Sequence, residues 1–172
     1  MVKVRLYLVR HGKTMFNTIG RAQGWSDTPL TAEGERGIQE LGIGLRESGL
    51  QFERAYSSDS GRTIQTMGII LEELGLQGKI PYRMDKRIRE WCFGSFDGAY
   101  DGDLFMGIIP RIFNVDHVHQ LSYAELAEGL VEVDTAGWAE GWEKLSGRIK
   151  EGFEAIAKEM EEQGGGNALV VS

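Results

Sequence analysis

The spacing of apolar positions changes along the chain. Residues 2–9 begin with alternating apolar residues and then become a continuous apolar run, LYLV. A continuous run favours a strand buried on both faces, as in a parallel sheet. Short apolar runs at residues 52–56, 80–82 and 168–171 predict further strands.

Helical spacing alternates with these strands. One helix is predicted over residues 31–48, with Thr31 as its N-cap, and another ends at Gly75, a residue type typical of helix C-termini. The longest stripe has apolar residues every three or four positions: Trp138, Trp142, Leu145, Ile149, Phe153, Ile156 and Met160. Strands that alternate with helices predict an α/β domain with a largely parallel sheet.

Residues 99–137 interrupt this alternation. Apolar residues are frequent there, but they follow neither a helical nor a strand period. We interpret this segment as an insertion that acts as a lid, within a single domain over residues 1–172. No repeat or low-complexity linker indicates a second domain.

Composition and charge exclude several classes of protein. The formal net charge of −7 disfavours non-specific binding to nucleic acid, because that binding requires a positive field. The sequence contains no apolar stretch long enough to cross a bilayer. Cys92 is the only cysteine, which excludes an intrachain disulfide and favours a reducing compartment. We therefore expect a cytoplasmic protein with neither nucleic acid nor membrane as a partner.

Three polar stretches are candidates for chemistry. The first strand delivers Arg10 and His11 to its C-terminal end, and Gly12 permits a tight turn beside a ligand. Arg62 falls in the first turn of a helix, where the helix dipole disfavours a cation unless an anion is nearby. Glu90 stands among apolar side chains, a setting that suits a carboxyl group to proton transfer. Each stretch alone also has a plainer interpretation. Arg10 and His11 could simply form a polar strand end, Arg62 could be a surface arginine, and Glu90 could belong to an ordinary ion pair.

Together these stretches resemble the histidine phosphatase superfamily, also called the phosphoglycerate mutase-like family. The matching segments are LVRHGKT with Asn17, then QGWSDTPLTAEG at residues 23–34, SSDSGRTIQT at 57–66 and IREWCFGSFDG at 88–98. They occur in the family's order over about the first hundred residues. The resemblance implies a three-layer α/β/α fold with a largely parallel central sheet.

The resemblance also implies a role for each matched residue. His11 is the expected nucleophile that becomes phosphohistidine, Arg10 and Arg62 bind the phosphoryl oxygens, and Glu90 is the proton donor. The expected substrate-binding set is Arg10, Gly12, Asn17, Gln23, Gly24, Arg62 and Glu90. No metal or cofactor is expected, because arginine supplies the positive charge that a transferring phosphoryl group requires. The expected partner is a small phosphorylated metabolite.

The final residues, NALVVS, resemble the family's last core strand, which reads VVSHG. We therefore expect the natural protein to continue with a second active-site histidine after Ser172. His117 and His119 do not match that position. They are predicted to share one face of a strand, where they could bind a metal. Because no third ligand stands at a recognisable spacing, a loop or a pocket wall is the favoured interpretation of these histidines.

Three functions are consistent with this pattern. The first is a phosphatase that acts on a small phosphomonoester, the second is a phosphoglycerate mutase, and the third is a non-catalytic phosphate-binding module. Residues 99–143 contain Arg111 as their only arginine or lysine against nine acidic residues, so they disfavour a highly anionic phosphoglycerate. The presence of Arg10, His11, Arg62 and Glu90 disfavours a non-catalytic module. The phosphatase is the favoured hypothesis.

Overall fold

The computed structural model describes residues 2–172, which form two compact units. Within these residues, the first unit consists of 2–15, 28–89 and 149–172, and the second of 16–27 and 90–148. Among the described residues, no helix has both the length and the apolar character needed to cross a membrane.

A parallel four-stranded sheet forms the centre of the first unit. Its strands are β1 (Val4–Val9), β2 (Arg54–Ser57), β3 (Tyr82–Met84) and β4 (Gly166–Val171), in the order β1-β4-β2-β3. The strand β4 is therefore central, with Val4 opposite Gly166 and Val9 opposite Val171 on the β1 side. The predicted parallel sheet is confirmed.

Helices cover both faces of this sheet. On one face, α2 (Ala32–Glu47) and α3 (Gly61–Glu73) pack against Leu169 and Val171 of β4. On the other face, residues from α6 (Trp142–Glu162) pack against Ala168 and Val170. Successive side chains of a strand point to opposite faces, so the apolar run of β4 supplies both cores. This arrangement confirms the three-layer α/β/α fold.

The helix boundaries confirm the predicted caps. The Thr31 hydroxyl accepts a hydrogen bond from the Gly34 amide at 3.0 Å, which satisfies one of the unpaired N–H groups of the first turn of α2. Gly75 follows the last residues of α3 with a φ of +66°, a backbone conformation that glycine adopts at no steric cost.

Three details of the strand and helix predictions are wrong. The strand β1 lies at the edge of the sheet, and Leu8 is 66% exposed, so its apolar run is not buried on both faces. Trp138 is 70% exposed and precedes α6, which begins at Trp142. The strand predicted at residues 80–82 forms at Tyr82–Met84 instead.

The second unit is largely helical. It contains most of α1 (Met15–Ile19), a π-helix (Gly102–Ile108), α4 (Ile109–Phe113), a 3-10 helix (Val118–Gln120), α5 (Tyr123–Val133) and the first residues of α6. Ser122 and Glu125 form a reciprocal capping box at the start of α5. The lid function of residues 99–137 stays a prediction.

Candidate active site

The C-terminal edge of the parallel sheet gathers the loops that follow its strands. The His11 amide, after β1, donates a hydrogen bond to the Ser172 carbonyl, after β4, at 3.1 Å. The Ser58 amide, after β2, donates to the Val171 carbonyl at 3.1 Å. Ligands of open α/β sheets bind at this edge, and the expected nucleophile lies there.

The ring of His11 is oriented by its neighbour. His11 Nδ1 lies 2.8 Å from the Gly12 carbonyl oxygen. A carbonyl oxygen can only accept, so Nδ1 carries the proton. In the neutral imidazole, Nε2 of the half-buried His11 side chain then carries the lone pair.

A buried threonine links the loop after β1 to the first turn of α3. The Gly12 amide donates to Thr66 Oγ1 at 3.0 Å, and this hydroxyl donates to the Arg62 carbonyl at 2.8 Å. Thr66 is fully buried, and Arg62, the second residue of α3, is 1% exposed. Arg10, by contrast, is exposed. The first unit thus contains Arg10, His11, Gly12 and Arg62.

Gly12 is required by close packing. A Cβ at this position would lie 2.8 Å from Ile38 Cγ1 and 3.0 Å from the Gly34 carbonyl oxygen. Real Cβ atoms do not approach neighbours so closely, so any larger residue would displace the loop from α2.

The second unit contains the other four predicted residues, Asn17, Gln23, Gly24 and Glu90. Asn17 is exposed on the short helix α1, whereas Gln23 is 8% exposed. The Gly24 amide donates to Asp97 Oδ1 at 2.8 Å, and a Cβ at Gly24 would overlap the Trp91 carbonyl oxygen. Gly24 therefore fixes the course of the backbone.

Glu90 differs from its predicted setting, because it is exposed rather than enclosed by apolar side chains. Two of its apolar neighbours in sequence, Ile88 and Trp91, are by contrast buried, with 1% and 9% exposed. The Glu90 carboxylate accepts a hydrogen bond from the Trp91 amide at 2.8 Å through Oε1. The predicted apolar pocket around this carboxyl group is therefore wrong.

Sequence reasoning missed four residues that organise these segments: Thr66, Asp97, Glu140 and Arg148. Thr66 and Asp97 lie inside the matched motifs, which was the available signal. Asp97 accepts hydrogen bonds from the amides of Gly24, Ser26 and Phe93. Glu140, one of the nine acids in residues 99–143, is fully buried and paired with Arg148 at 2.6 Å.

Cys92 is a buried free thiol. Burial is the main reason that the pKa of the Cys92 thiol is raised, and a raised pKa disfavours the nucleophilic thiolate. Cys92 contributes, together with Trp25, Trp138 and Lys144, to the wall of a cavity of about 720 Å³ in the second unit.

The two histidines of the insertion lie on a 3-10 turn. His117 is the N-cap residue of the helix Val118–Gln120, and His119 lies within it. The prediction that they share one face of a strand is therefore wrong. Within residues 2–172, no group of three His, Cys, Asp or Glu side chains is arranged to hold a metal ion.

The profile of the histidine phosphatase superfamily (branch 1) matches residues 6–172. The chain belongs to this superfamily. The match extends from β1 through β4, so it includes all eight predicted site residues.

Solved structures and curated proteins agree with this membership of the histidine phosphatase superfamily. The chain is 37% identical to a phosphoglycerate mutase from Bacillus anthracis, with a TM-score of 0.92 over 99% of this chain and 75% of that one. It also matches an alpha-ribazole-5'-P phosphatase candidate from Escherichia coli, at 25% identity and a TM-score of 0.70, over 99% of this chain and 73% of that one.

Among curated proteins, it is 42% identical over 55 residues to a 2,3-bisphosphoglycerate-dependent phosphoglycerate mutase from Treponema pallidum. That alignment covers 32% of this chain and 22% of the relative's length.

Proposed function

We propose that this protein is a phosphatase that hydrolyses a small phosphomonoester through a phosphohistidine intermediate on His11. The observation that carries the proposal is the orientation of the His11 ring, because a proton on Nδ1 leaves the Nε2 lone pair for attack on phosphorus. The guanidinium groups of Arg10 and Arg62 match the phosphoryl oxygens and stabilise their charge.

The proposed reaction has two steps. In the first, Nε2 of His11 forms a bond to phosphorus, the bond from phosphorus to the leaving oxygen breaks, and Glu90 donates its proton to that oxygen. In the second, water attacks phosphorus, Glu90 takes up a proton from the water, and inorganic phosphate leaves His11. Asn17, Gln23 and Gly24 are proposed to contact the substrate.

A phosphoglycerate mutase is the second candidate, because two of the relatives described above carry that name. A mutase must bind a substrate that bears a carboxylate as well as phosphate. Between residues 99 and 143, however, Arg111 is the only arginine or lysine, and acidic residues dominate. Such a segment disfavours a highly anionic substrate, which supports the phosphatase.

Direct detection of the intermediate tests the proposal. The protein is mixed with a panel of phosphomonoesters that includes 3-phosphoglycerate, quenched in alkali and digested, and phosphohistidine is located by mass spectrometry. Inorganic phosphate and isomerised phosphoglycerate are measured in parallel. We expect phosphate release and a phosphoryl group on His11, and we expect His11→Ala to reduce turnover by about three orders of magnitude or more.

His119→Ala is the matched control, since this exposed histidine has no proposed role. Isomerised phosphoglycerate without phosphate release would favour the mutase. Turnover without a phosphoryl group on His11 would contradict both candidates.

A further inference from the structure

A buried ion pair lies beside the segment that carries Glu90. Glu140 is fully buried, and its two carboxylate oxygens accept hydrogen bonds from Arg148 Nε at 2.9 Å and Arg148 Nη2 at 2.6 Å. The Arg148 side chain is 14% exposed. A two-point pair of this kind fixes the guanidinium plane relative to the carboxylate.

Glu140 also holds the two residues that follow Glu90. Its Oε2 accepts from the Cys92 amide at 3.2 Å, and its own amide donates to the Cys92 carbonyl at 3.1 Å. Its carbonyl accepts from the indole nitrogen of Trp91 at 2.8 Å. Glu140 thus fixes the side chain of Trp91 and the backbone of Cys92.

Arg148 completes this arrangement at Glu90 itself. Its Nη2 donates to the Glu90 carbonyl at 3.2 Å, and the indole nitrogen of Trp25 donates to the same oxygen at 3.0 Å. The Glu90 carboxylate accepts a hydrogen bond from the Trp91 amide, and the indole of the same tryptophan donates to the Glu140 carbonyl. Every one of these contacts lies within the second unit.

We infer that Glu140 and Arg148 are positioning residues for Glu90, which set the place of its carboxyl group during proton transfer. The inference rests on the proposed function, in which Glu90 protonates the leaving oxygen. Neither residue is proposed to contact substrate. It acts through the backbone of residues 90–92 and is distinct from the phosphoryl-binding arginines.

The choice of leaving group separates positioning from general damage. Nitrophenolate departs without a proton, whereas benzyl alkoxide requires one, so a displaced acid slows benzyl phosphate far more than p-nitrophenyl phosphate. A misplacement of about 1 Å can cost up to about 100-fold in rate. We therefore expect Glu140→Gln to reduce kcat/KM, which reports the first step, about 10- to 100-fold for benzyl phosphate and less than about threefold for p-nitrophenyl phosphate.

Three further variants keep the test decisive. Arg148→Lys retains the charge beside Glu140 but loses the two-point geometry. The double variant Glu140→Gln/Arg148→Met leaves no buried charge, so it should fold even where a single variant does not. Asp134→Asn is the control within the same unit, because this carboxylate accepts hydrogen bonds from the amides of Ser95, Ala136, Trp138 and Ala139 and not from Glu90. Asp134→Asn should change kcat/KM for both substrates by the same factor.

The Glu90→Gln variant distinguishes failure of this inference from failure of the proposed function. If Glu90→Gln lowers kcat/KM equally for the two substrates, Glu90 is not the acid, and the proposed reaction falls together with its positioning pair. If Glu90→Gln lowers kcat/KM more for benzyl phosphate than for p-nitrophenyl phosphate, but the folded Glu140 and Arg148 variants do not, the positioning role alone is refuted. If Glu140→Gln lowers kcat/KM selectively for benzyl phosphate in the parent protein but not in the Glu90→Gln background, the inference is supported.

Discussion

At the scale of single residues, Gly12 and Gly37 show how differently two glycines in one protein can act. A Cβ at Gly12 would collide with Ile38 and the Gly34 carbonyl, whereas a Cβ at Gly37, within α2, would meet no atom within 4 Å. The first glycine is required by packing. The second only weakens the helix, because glycine costs more backbone entropy than alanine.

Alanine substitutions should therefore have opposite effects at these positions. We expect Gly12→Ala to lower the free energy of unfolding by about 1–3 kcal/mol, as overpacked sites do. We expect Gly37→Ala to raise it by roughly 0.5–1 kcal/mol through helix propensity. Urea unfolding followed by circular dichroism measures both. A neutral Gly12→Ala would mean that the loop after β1 tolerates displacement.

The tautomer of His11 provides a second prediction at this scale. The hydrogen bond from Nδ1 to the Gly12 carbonyl places the proton of the neutral ring on Nδ1. Long-range ¹H–¹⁵N correlation spectra of the free protein at high pH should show a protonated Nδ1 and an unprotonated Nε2 for His11. His119, which is exposed, serves as the reference in the same spectrum. A spectrum with the proton on Nε2 would remove the main support for the proposed nucleophile.

At the scale of elements, Thr66 joins the loop after β1 to α3. Replacing it with valine keeps the shape but leaves the buried Gly12 amide without its acceptor. An unsatisfied buried amide costs about 1–3 kcal/mol, so Thr66→Val should destabilise the protein by that amount and reduce turnover. Thr66→Ser retains the hydroxyl and should recover most of the turnover. Equal losses in both variants would indicate that the methyl group, not the hydrogen bond, is what matters.

Asp85 fixes the turn after β3 and should contribute to stability in a pH-dependent way. Hydrogen bonds from the Arg87 side chain are the main reason that the pKa of Asp85 falls to about 2, from an ordinary value of 3.8. Because the folded pKa is depressed, the stabilisation is present above about pH 4 and is lost as the pH falls to about 2.

We expect Asp85→Asn to be less stable than the parent protein at pH 6 and to lose less stability between pH 4 and pH 2.5. Urea unfolding at several pH values measures the difference. Glu154→Gln removes an exposed carboxylate from a surface pair with Lys150 and should follow the parent protein's pH profile. Parallel profiles for the parent protein and Asp85→Asn would contradict the role of Asp85.

The elements also show where sequence patterns are informative. Periodicity predicted α2, α3, α6 and the parallel sheet, because each has one or two apolar faces that must be buried. It could not place β1 at the edge, since strand order depends on which strands pair rather than on any one run. The exposure of the Glu90 side chain could not be predicted either, because the direction of a side chain in an irregular segment is decided by distant partners such as Glu140 and Arg148.

At the scale of the whole molecule, negative charge should influence which phosphomonoesters are accepted. Of the nine acids in residues 99–143, Glu140 is buried beside Arg148, Asp134 is half-buried and the other seven are exposed. Asp101→Asn/Asp103→Asn removes two exposed charges from this segment. We expect it to increase kcat/KM for 3-phosphoglycerate about twofold or more at low salt, with little change at 0.5 M salt.

The pair Glu161→Gln/Glu162→Gln makes the same change in net charge at the end of α6. It should have little effect on the ratio of kcat/KM for 3-phosphoglycerate to that for p-nitrophenyl phosphate. Equal effects of the two pairs would assign the discrimination to net charge rather than to residues 99–143.

The central position of β4 has a consequence for biosynthesis. Val4 pairs with Gly166, and β1 has β4 as its only neighbour within the described sheet. At about 5–20 residues per second, a ribosome needs on the order of ten seconds or more to reach β4 after β1 has been made. Throughout that interval β1 has no native strand to pair with, and its exposed amides can join other chains. Folding of this sheet therefore waits for late synthesis, and a chaperone that shields the nascent N-terminal segment should increase the yield of native protein.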